Sequence, residues 1–411
     1  MEYDIKEFDE IRPYEAGEMK QAFNDLLNDR QFSLMLKGFV PWLPKGLRNG
    51  LLKLAFTGVK TPLDFQMRFM KPIVWHVVHK HADGLVFDDS ALQGNHISHL
   101  SSLTSHLDER YTFVSNHRDI VLDSAFLDVL LVKAGYPTTV EIGIGDNLLI
   151  YPWIKRLVRM NKAFTVRRGL TAHEMMRSSQ LMSSYIHYAV TQKKENIWIA
   201  QREGRAKDSD DRTQDSVLKM LAMGGAGDHY VDKLRDLNIV PLTISYEFDP
   251  CDYLKAQEFQ LKRDKPSYKK SKQDDLDNMR TGIFGYKGNV VYRCGTPVNT
   301  WIDELKDLPK NEFFKTLSER IDKEIHSGYE LYAYNYFALD MLEGSKEYTR
   351  MFFGENSDSK DVAAIRAFFE KYLQDQMAKI KIPNKDEAFL RERILTMYAN
   401  PLRNYLKVKS E

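Results

Sequence analysis

Residues 111–131 read YTFVSNHRDIVLDSAFLDVLL, and this stretch indicates the fold class. It opens with apolar and β-branched residues, which predict a short buried strand, and it closes with apolar positions at helical spacing. Ser115, Asn116 and His117 lie between the two, and the helix is expected to begin near Asp119. A strand that passes through a short turn into a helix is the building unit of an α/β fold.

Further apolar runs alternate with helical segments downstream of this unit. They are TTVEIGIG (138–145), AFTVRR (163–168), NIWIAQ (196–201), NIVPLTISYE (238–247) and NVVYRCG (289–295). Residues 106–300 are therefore expected to form an α/β domain. Residues 1–105 carry apolar positions at helical spacing and predict a helical accessory domain, and residues 301–411 predict a helical C-terminal region in the same way.

The composition excludes several classes of protein. With 43% hydrophobic and 28% charged residues over 411 positions, the chain is expected to be globular rather than disordered. The formal net charge of +1 provides no overall field that would attract nucleic acid or anionic lipid, so any attraction of anions must be local. Cys251 and Cys294 have no CxxC partner, which argues against a zinc site or a disulfide framework and agrees with a reducing cytoplasm. No apolar run approaches the roughly 20 residues of a membrane-spanning helix.

One segment of the N-terminal region has the composition of a helix that lies on a membrane surface. Residues 31–60 read QFSLMLKGFVPWLPKGLRNGLLKLAFTGVK and contain five Lys or Arg, no Asp or Glu, and many Leu, Phe and Trp. An apolar face flanked by basic residues favours binding at the lipid headgroups. A helix packed into the core with solvated lysines has the same composition, so both interpretations stay open.

His117 is the first candidate for chemistry. A side chain at a strand-to-helix turn lies at the rim of an α/β sheet, where ligands usually bind. An imidazole can take a proton from a hydroxyl at neutral pH when a carboxylate fixes its tautomer. Asp119 and Asp123 are both within reach in the sequence. The structural alternative is a histidine that caps a helix or lies at the surface.

The motifs that follow His117 carry a resemblance to a known family. They are GIGDNLL (143–149), KAFTVRRG (162–169), IWIAQREGR (197–205) and IVPLTISYE (239–247). In this order they resemble the glycerolipid acyltransferase family, in particular the branch with the glycerol-3-phosphate and dihydroxyacetone-phosphate acyltransferases. The resemblance is strongest from residue 111 to residue 298. It implies the fold of that family, a mixed sheet flanked by helices, with helical regions at both ends of the chain.

The resemblance also implies the catalytic pair. The family's first motif places an Asp after a His with four residues between them, and Leu122 occupies that position here. We expect Asp123 to orient His117, because one inserted residue can be absorbed in the first turn of a helix. Asp119 is closer in sequence and is expected to cap the helix.

Two later motifs imply the residues that bind the acceptor. Arg168 occupies the position of the family's phosphate-binding Arg, and a guanidinium can hold a phosphate through two hydrogen bonds. Glu203, Gly204 and Arg205 resemble the family's Glu-Gly-x-Arg motif, although Arg205 follows Gly204 directly. Gly204 would let the backbone approach a ligand. Ordinary surface ion pairs and a charged turn are the structural alternatives.

The implied function is that of an acyltransferase of phospholipid biosynthesis. It would move a fatty acyl group from an acyl carrier protein or coenzyme A thioester to a hydroxyl of glycerol-3-phosphate or a 1-acyl-glycerol-3-phosphate-like acceptor. The expected transfer is direct, with no metal and no cofactor, at the cytoplasmic face of a membrane to which the protein binds peripherally. Two alternatives stay open: an N- or O-acyltransferase acting on aminolipid or lysophospholipid acceptors, and a non-catalytic scaffold on the same fold.

Overall fold

The computed structural model describes residues 3–39, 42–93, 105–149 and 151–410. Within these residues the strands are β1 Gly84–Asp88, β2 Thr112–Ser115, β3 Val140–Gly145, β4 Ala163–Val166, β5 Asn196–Ala200, β6 Ile239–Tyr246 and β7 Asn289–Cys294. They form one seven-stranded sheet in the order β1-β7-β6-β2-β5-β3-β4. Each of the six apolar runs between residues 111 and 295 contains one of these strands, which confirms the α/β pattern expected from the sequence.

The sheet is mixed. β6, β2, β5, β3 and β4 run parallel to one another. β7 runs antiparallel to β6, and β1 runs parallel to β7. The carboxyl ends of five neighbouring strands therefore meet at one edge of the sheet, the edge at which α/β proteins bind their ligands.

Helices surround the sheet and occupy both ends of the chain. Before β2 the helices are α1 Met19–Asn28, α2 Arg30–Phe39, α3 Lys45–Phe56, α4 Pro62–Phe65, α5 Lys71–His81, α6 Ser90–Gln93 and α7 Ser105–Asp108. Between β2 and β7 they are α8 Leu122–Ala134, α9 Pro152–Met160, α10 Ala172–Tyr188, α11 Asp215–Leu221, α12 Tyr230–Arg235, α13 Asp252–Asp264 and α14 Lys272–Phe284. After β7 they are α15 Lys310–Ser327, α16 Ala333–Glu343, α17 Glu347–Phe353, α18 Lys360–Lys379 and α19 Glu387–Ser410.

Both faces of the sheet are covered by helices. Successive side chains of a strand point to opposite faces, so Phe113 and Val114 enter two different apolar clusters. Phe113 packs with residues of α5 and α8, including Phe126. Val114 packs with residues of α10, α11 and α15, including Tyr185. Because both faces are buried, the strands read as nearly continuous apolar runs rather than alternating ones.

The region 1–105 contributes a strand to the sheet as well as helices. β1 pairs with β7, whose partner residues lie about two hundred positions later in the chain. The sequence predicts only helices here, and β1 is a correction to that prediction: the five-residue run GLVFD is short and its hydrogen-bonding partner is distant. The division of the chain at residues 105 and 300 stays a prediction.

In the parts of the chain that the structure describes, no helix has both the length and the apolar character needed to cross a bilayer.

Candidate functional site

The predicted site residues leave the sheet at the same edge. His117 follows β2, Arg168 follows β4 and Glu203 follows β5, and these three strands are parallel members of the sheet. β2 and β5 are direct neighbours. Side chains that are 86 positions apart in sequence, such as His117 and Glu203, are therefore gathered on one side of the molecule by the topology.

His117 and Asp123 are in contact. Nδ1 of His117 lies 2.8 Å from Oδ2 of Asp123. α8 begins at Leu122, so Asp123 lies in its first turn and its carboxylate faces back toward the end of β2. The side chain of Asp123 is 1% exposed and that of His117 is 15% exposed, so the imidazole retains access from solvent while its partner is buried.

Several donors hold the Asp123 carboxylate. Oδ2 also accepts from the backbone amides of Arg118 at 2.6 Å and Asp119 at 3.0 Å. The hydroxyl of Tyr246 donates to Oδ1 at 3.2 Å. Burial, with the nearby Tyr292 and Asp123, raises the pKa of Tyr246 well above its ordinary value, so this phenol keeps its proton and remains a donor. Donors of this kind stabilise the ionised carboxylate that an imidazolium requires.

Asp119 caps the helix, as expected from the sequence. Its Oδ1 accepts from the backbone amides of Val121 and Leu122, each at 2.8 Å. Burial raises the pKa of Asp119, and the neighbouring Asp123 carboxylate raises it further. Asp119 thus satisfies amides at the start of α8 that have no partner within the helix.

The other side of the imidazole faces Trp198 on β5. The two rings meet edge to face with their centroids 5.4 Å apart. Nε1 of the indole donates to Oγ of Ser115 at 2.9 Å, and Ser115 donates in turn to the carbonyl of Asn116. The hydroxyl of Ser115 is therefore engaged in hydrogen bonds within the fold. Within the described residues no hydrogen bond reaches Nε2 of His117. A carboxylate can only accept from Nδ1, so Nε2 is left as the basic nitrogen.

The buried carboxylate of Asp211, which the sequence did not predict, contacts the residues on either side of His117. Asp211 is fully buried, and its Oδ2 contacts Nη2 of Arg118 at 2.8 Å, Nδ2 of Asn116 at 3.2 Å and the hydroxyl of Tyr329 at 2.6 Å. Asp211 lies in an acidic loop, DSDDR, in which sequence offers no means of choosing one aspartate. The structure selects it through its contact with residues far away in the chain.

Arg168 and Glu203 form an ion pair at the carboxyl edge of the sheet. Nη1 of Arg168 contacts Oε1 of Glu203, and their side chains are 35% and 70% exposed. The backbone amide of Arg168 donates to Oδ1 of Asp146 at 3.1 Å. Asp146 belongs to the GIGDNLL motif, so this motif also contacts the ion pair's arginine. The structure thus joins the motifs of β3, β4 and β5. Among the described residues neither Arg168 nor Glu203 makes a hydrogen bond to His117 or Asp123.

Arg205 turns toward α14 instead. Its Nη2 donates to Oδ1 of Asn278 at 3.0 Å, and its Nη1 is buried without a hydrogen-bond partner among the described residues. Gly204, just before it, has a φ of +72° and open space where a Cβ would lie. The glycine is therefore required by the left-handed backbone conformation. Asn278 is a second residue that the sequence analysis misses, because it lies in the charged stretch between β6 and β7.

α14 and the segment after it close one side of the site. A Cβ placed on Gly282 would lie 1.8 Å from Oδ2 of Asp119, so only glycine permits this helix to approach. The ammonium of Lys287 is fully buried and donates to the carbonyls of Ile283 at 3.2 Å and Gly285 at 2.6 Å. Burial lowers the pKa of Lys287 to about 8.

Across residues 3–39, 42–93, 105–149 and 151–410, no cluster of three or more His, Cys, Asp or Glu side chains is arranged to hold a metal ion. Cys251 and Cys294 are buried free thiols.

Comparison with models of known protein families gives no match to this chain, and comparison with curated proteins gives none. The resemblance to glycerolipid acyltransferases therefore rests on the motifs in the sequence. The roles of His117, Asp123, Arg168, Glu203, Gly204 and Arg205 stay predictions.

Proposed function

We propose that this chain is an acyltransferase that moves a fatty acyl group from a thioester to a hydroxyl of glycerol-3-phosphate or a 1-acyl-glycerol-3-phosphate-like acceptor. The observation that carries the proposal is the contact between His117 and Asp123 at the carboxyl edge of the sheet. The contact leaves Nε2 of the imidazole without a partner among the described residues, and the His117 side chain is 15% exposed. A buried Asp, an oriented His and a free Nε2 are the parts that general-base catalysis requires.

The chemistry balances with these groups alone. Nε2 of His117 takes the proton of the acceptor hydroxyl while the hydroxyl oxygen attacks the carbonyl carbon of the thioester. The carbon–sulfur bond breaks, and the imidazolium returns the proton to the departing thiolate. Asp123 stabilises the imidazolium between the two steps, as its fixed position against Nδ1 allows. The products are an ester and a free thiol, and general-base action of this kind accelerates a reaction by about 10²- to 10⁴-fold.

Arg205 is the residue best placed to bind the acceptor's phosphate. Its Nη1 has no hydrogen-bond partner among the described residues, although the guanidinium lies close enough to the carboxylates of Asp119 and Asp249 to interact with them electrostatically. A phosphate oxygen would supply the acceptor that this donor lacks. Arg168 is already neutralised by Glu203, so we assign that exposed pair to the rim of the site, where phosphate would compete with the carboxylate. Arg205 also contacts α14, which lies against Asp119 and so borders the dyad.

The acyl donor is proposed to be a thioester of acyl carrier protein or of coenzyme A. A long acyl chain contributes about 0.8 kcal/mol for each buried methylene, so it must enter an apolar groove or a bilayer. We place the protein at the cytoplasmic face of a membrane for this reason. The buried free thiols of Cys251 and Cys294 agree with a reducing compartment.

The proposal is tested by following thiol release and lipid product with a long-chain acyl thioester. Purified wild type and His117→Ala are compared with glycerol-3-phosphate and 1-acyl-glycerol-3-phosphate as acceptors, in detergent micelles or vesicles. His76→Ala, an exposed histidine on α5, is the matched control. We expect wild type and the control to turn over and His117→Ala to lose at least about a hundredfold.

Full activity in His117→Ala would overturn the mechanism. Turnover with an amino-group or lysophospholipid acceptor, and with neither phosphate acceptor, would retain acyl transfer and replace the substrate. A folded wild type that is inactive toward all of these acceptors would favour a scaffold.

A further inference from the structure

Helices α2 and α3, which follow one another in the chain and are here called the hairpin, present apolar side chains to solvent. In α3, Leu47, Leu51 and Leu54 are 57%, 50% and 68% exposed. Their spacing of four and three residues places them on one face of the helix. Leu34 on α2 and Trp42 between the helices are 59% and 77% exposed. We call these five residues the apolar face.

The orientation of α3 is fixed by contacts on its opposite side. Phe56 stacks on Phe23 of α1, with ring centroids 3.8 Å apart. Arg48 is 5% exposed, and its Nη2 donates to the carbonyl and the hydroxyl of Ser33 at 3.1 and 3.0 Å. A basic side chain therefore points inward while the leucines of the same helix point outward. α3 thus exposes apolar side chains in addition to the buried Phe56, whereas the exposed face of a helix packed on a core is normally polar.

Lysines accompany the apolar face. Lys37, Lys45, Lys53 and Lys60 are exposed, and none of them forms an ion pair with any residue that the structure describes. The sequence holds no Asp or Glu from residue 30 to residue 63. The segment thus combines exposed apolar side chains with an excess of positive charge, in which Lys60 has a carboxylate, that of Asp64, close by. This combination matches the headgroup region of an anionic bilayer.

The hairpin is attached on the same side of the sheet as His117. Phe32 of α2 packs against Trp153, with ring centroids 5.7 Å apart. Trp153 lies in the first turn of α9, which follows the carboxyl end of β3. That end belongs to the same edge from which His117 emerges, so the α2 part of the hairpin lies toward the candidate site.

We propose that the apolar face docks the protein on the surface of an anionic lipid bilayer, with the leucines and Trp42 in the headgroup boundary and the four lysines on the lipid phosphates. A second copy of the chain is a poorer occupant, because two such faces would oppose eight lysine charges with no carboxylate between residues 30 and 63. The proposal deepens the proposed function, since it names the surface from which a lipid substrate would reach His117. It rests on that function for this purpose only.

Binding of the full chain to vesicles tests the proposal without any turnover. Wild type is sedimented with vesicles of phosphatidylcholine containing 30% phosphatidylglycerol and with pure phosphatidylcholine vesicles. Leu51→Gln/Leu54→Gln keeps helix propensity and removes apolar contact. The matched control, Met351→Gln/Phe368→Gln, changes two side chains on α17 and α18 that are 53% and 52% exposed. Lys45→Glu/Lys53→Glu tests the charge.

We expect wild type and the control to bind the anionic vesicles, and we expect the leucine and lysine variants to bind at least about tenfold more weakly. The fluorescence of Trp42 should shift to shorter wavelength on binding, and Trp42→Phe should lose that shift. Equal binding by wild type and the leucine variant would overturn the proposal. The absence of vesicle binding by wild type would also overturn the proposal, even if wild type formed a dimer that the leucine variant does not form. Since no substrate is present, acyl transfer can fail while vesicle binding succeeds, and the two failures are distinguishable.

Discussion

Asp123 contacts the imidazole of His117 at 2.8 Å from six positions along the chain, while Asp119, only two positions away, is turned to the amides at the start of α8. The two aspartates have separate tasks because the chain passes through the turn 117–121 before the helix begins at Leu122. The interval between His117 and Asp123 is one residue longer than in the motif that the sequence resembles, and the turn accommodates this residue while the two side chains stay in contact.

The two aspartates should respond differently to substitution. Asp123→Asn replaces the acceptor beside Nδ1 with an amide that cannot stabilise an imidazolium in the same way, and we expect kcat to fall by about 10²- to 10⁴-fold. Asp119→Asn retains a side-chain oxygen that can cap a helix, so we expect activity within about tenfold of wild type. Steady-state kinetics with the preferred acceptor measures both. An equal loss in the two variants would mean that Asp119 has a part in catalysis.

Arg205 and Arg168 should differ in their effect on acceptor binding. Arg205→Met removes a partly buried guanidinium whose Nη1 has no hydrogen-bond partner among the described residues, and we expect the KM for the phosphate-bearing acceptor to rise by about 10- to 100-fold with a smaller change in kcat. Arg168→Met removes an arginine that Glu203 already neutralises, so the expected rise in KM is a few fold. The comparison uses glycerol-3-phosphate against an uncharged glycerol acceptor. A larger KM effect from Arg168 would reverse the assignment.

Asn278 should act through Arg205. Asn278→Ala removes the hydrogen bond to Nη2 and leaves the guanidinium less constrained, and we expect the KM for the acceptor to rise by about three- to tenfold. In the Arg205→Met background the same substitution should add little, because the two residues share one interaction. A double-mutant cycle on kcat/KM measures this coupling, and fully additive effects would contradict it.

Asp211 should be important for stability. Asp211→Ala leaves the buried guanidinium of Arg118 without its carboxylate, and we expect the free energy of unfolding to fall by about 3 to 5 kcal/mol. The neighbouring Asp210 pairs with Arg212 where both side chains are more than 40% exposed, so Asp210→Ala should cost under about 1 kcal/mol. Chemical denaturation of both variants checks the difference. A loss of 1 kcal/mol or less in Asp211→Ala would show that the network is dispensable.

Lys287 should make stability depend on alkaline pH. Its pKa is about 8 in the folded protein, lowered from 10.5 by burial, so the unfolded chain binds more protons between these values. Raising the pH from 8 to 10.5 therefore increases the contribution of Lys287 to stability by up to about 3 kcal/mol, and the full cost of burying the ammonium is present below pH 8. Lys287→Met should lose this contribution. Urea denaturation at several pH values, with the exposed Lys272→Met as control, measures the difference in slope.

The sequence alone predicted the α/β class, six of the strands, and Asp123 as the carboxylate that contacts His117, while the catalytic role of the pair stays a prediction. These could be predicted because apolar runs bounded by turns are local patterns, and because His117 and Asp123 lie within one strand, one turn and one helix. Asp119 as a cap was predictable for the same reason: the atoms that it contacts are two and three residues away.

Only the tertiary structure selected Asp211, Asn278 and β1, and only it showed that α3 turns its leucines to solvent. Asp211 contacts Arg118 93 positions away, and Asn278 contacts Arg205 73 positions away, so no local pattern distinguishes them from neighbouring polar residues. The segment 31–60 had the composition of a core helix and of a surface helix alike. Composition states which side chains a helix carries, whereas their exposure depends on how the packing of Phe56 and Arg48 rotates α3 against its neighbours.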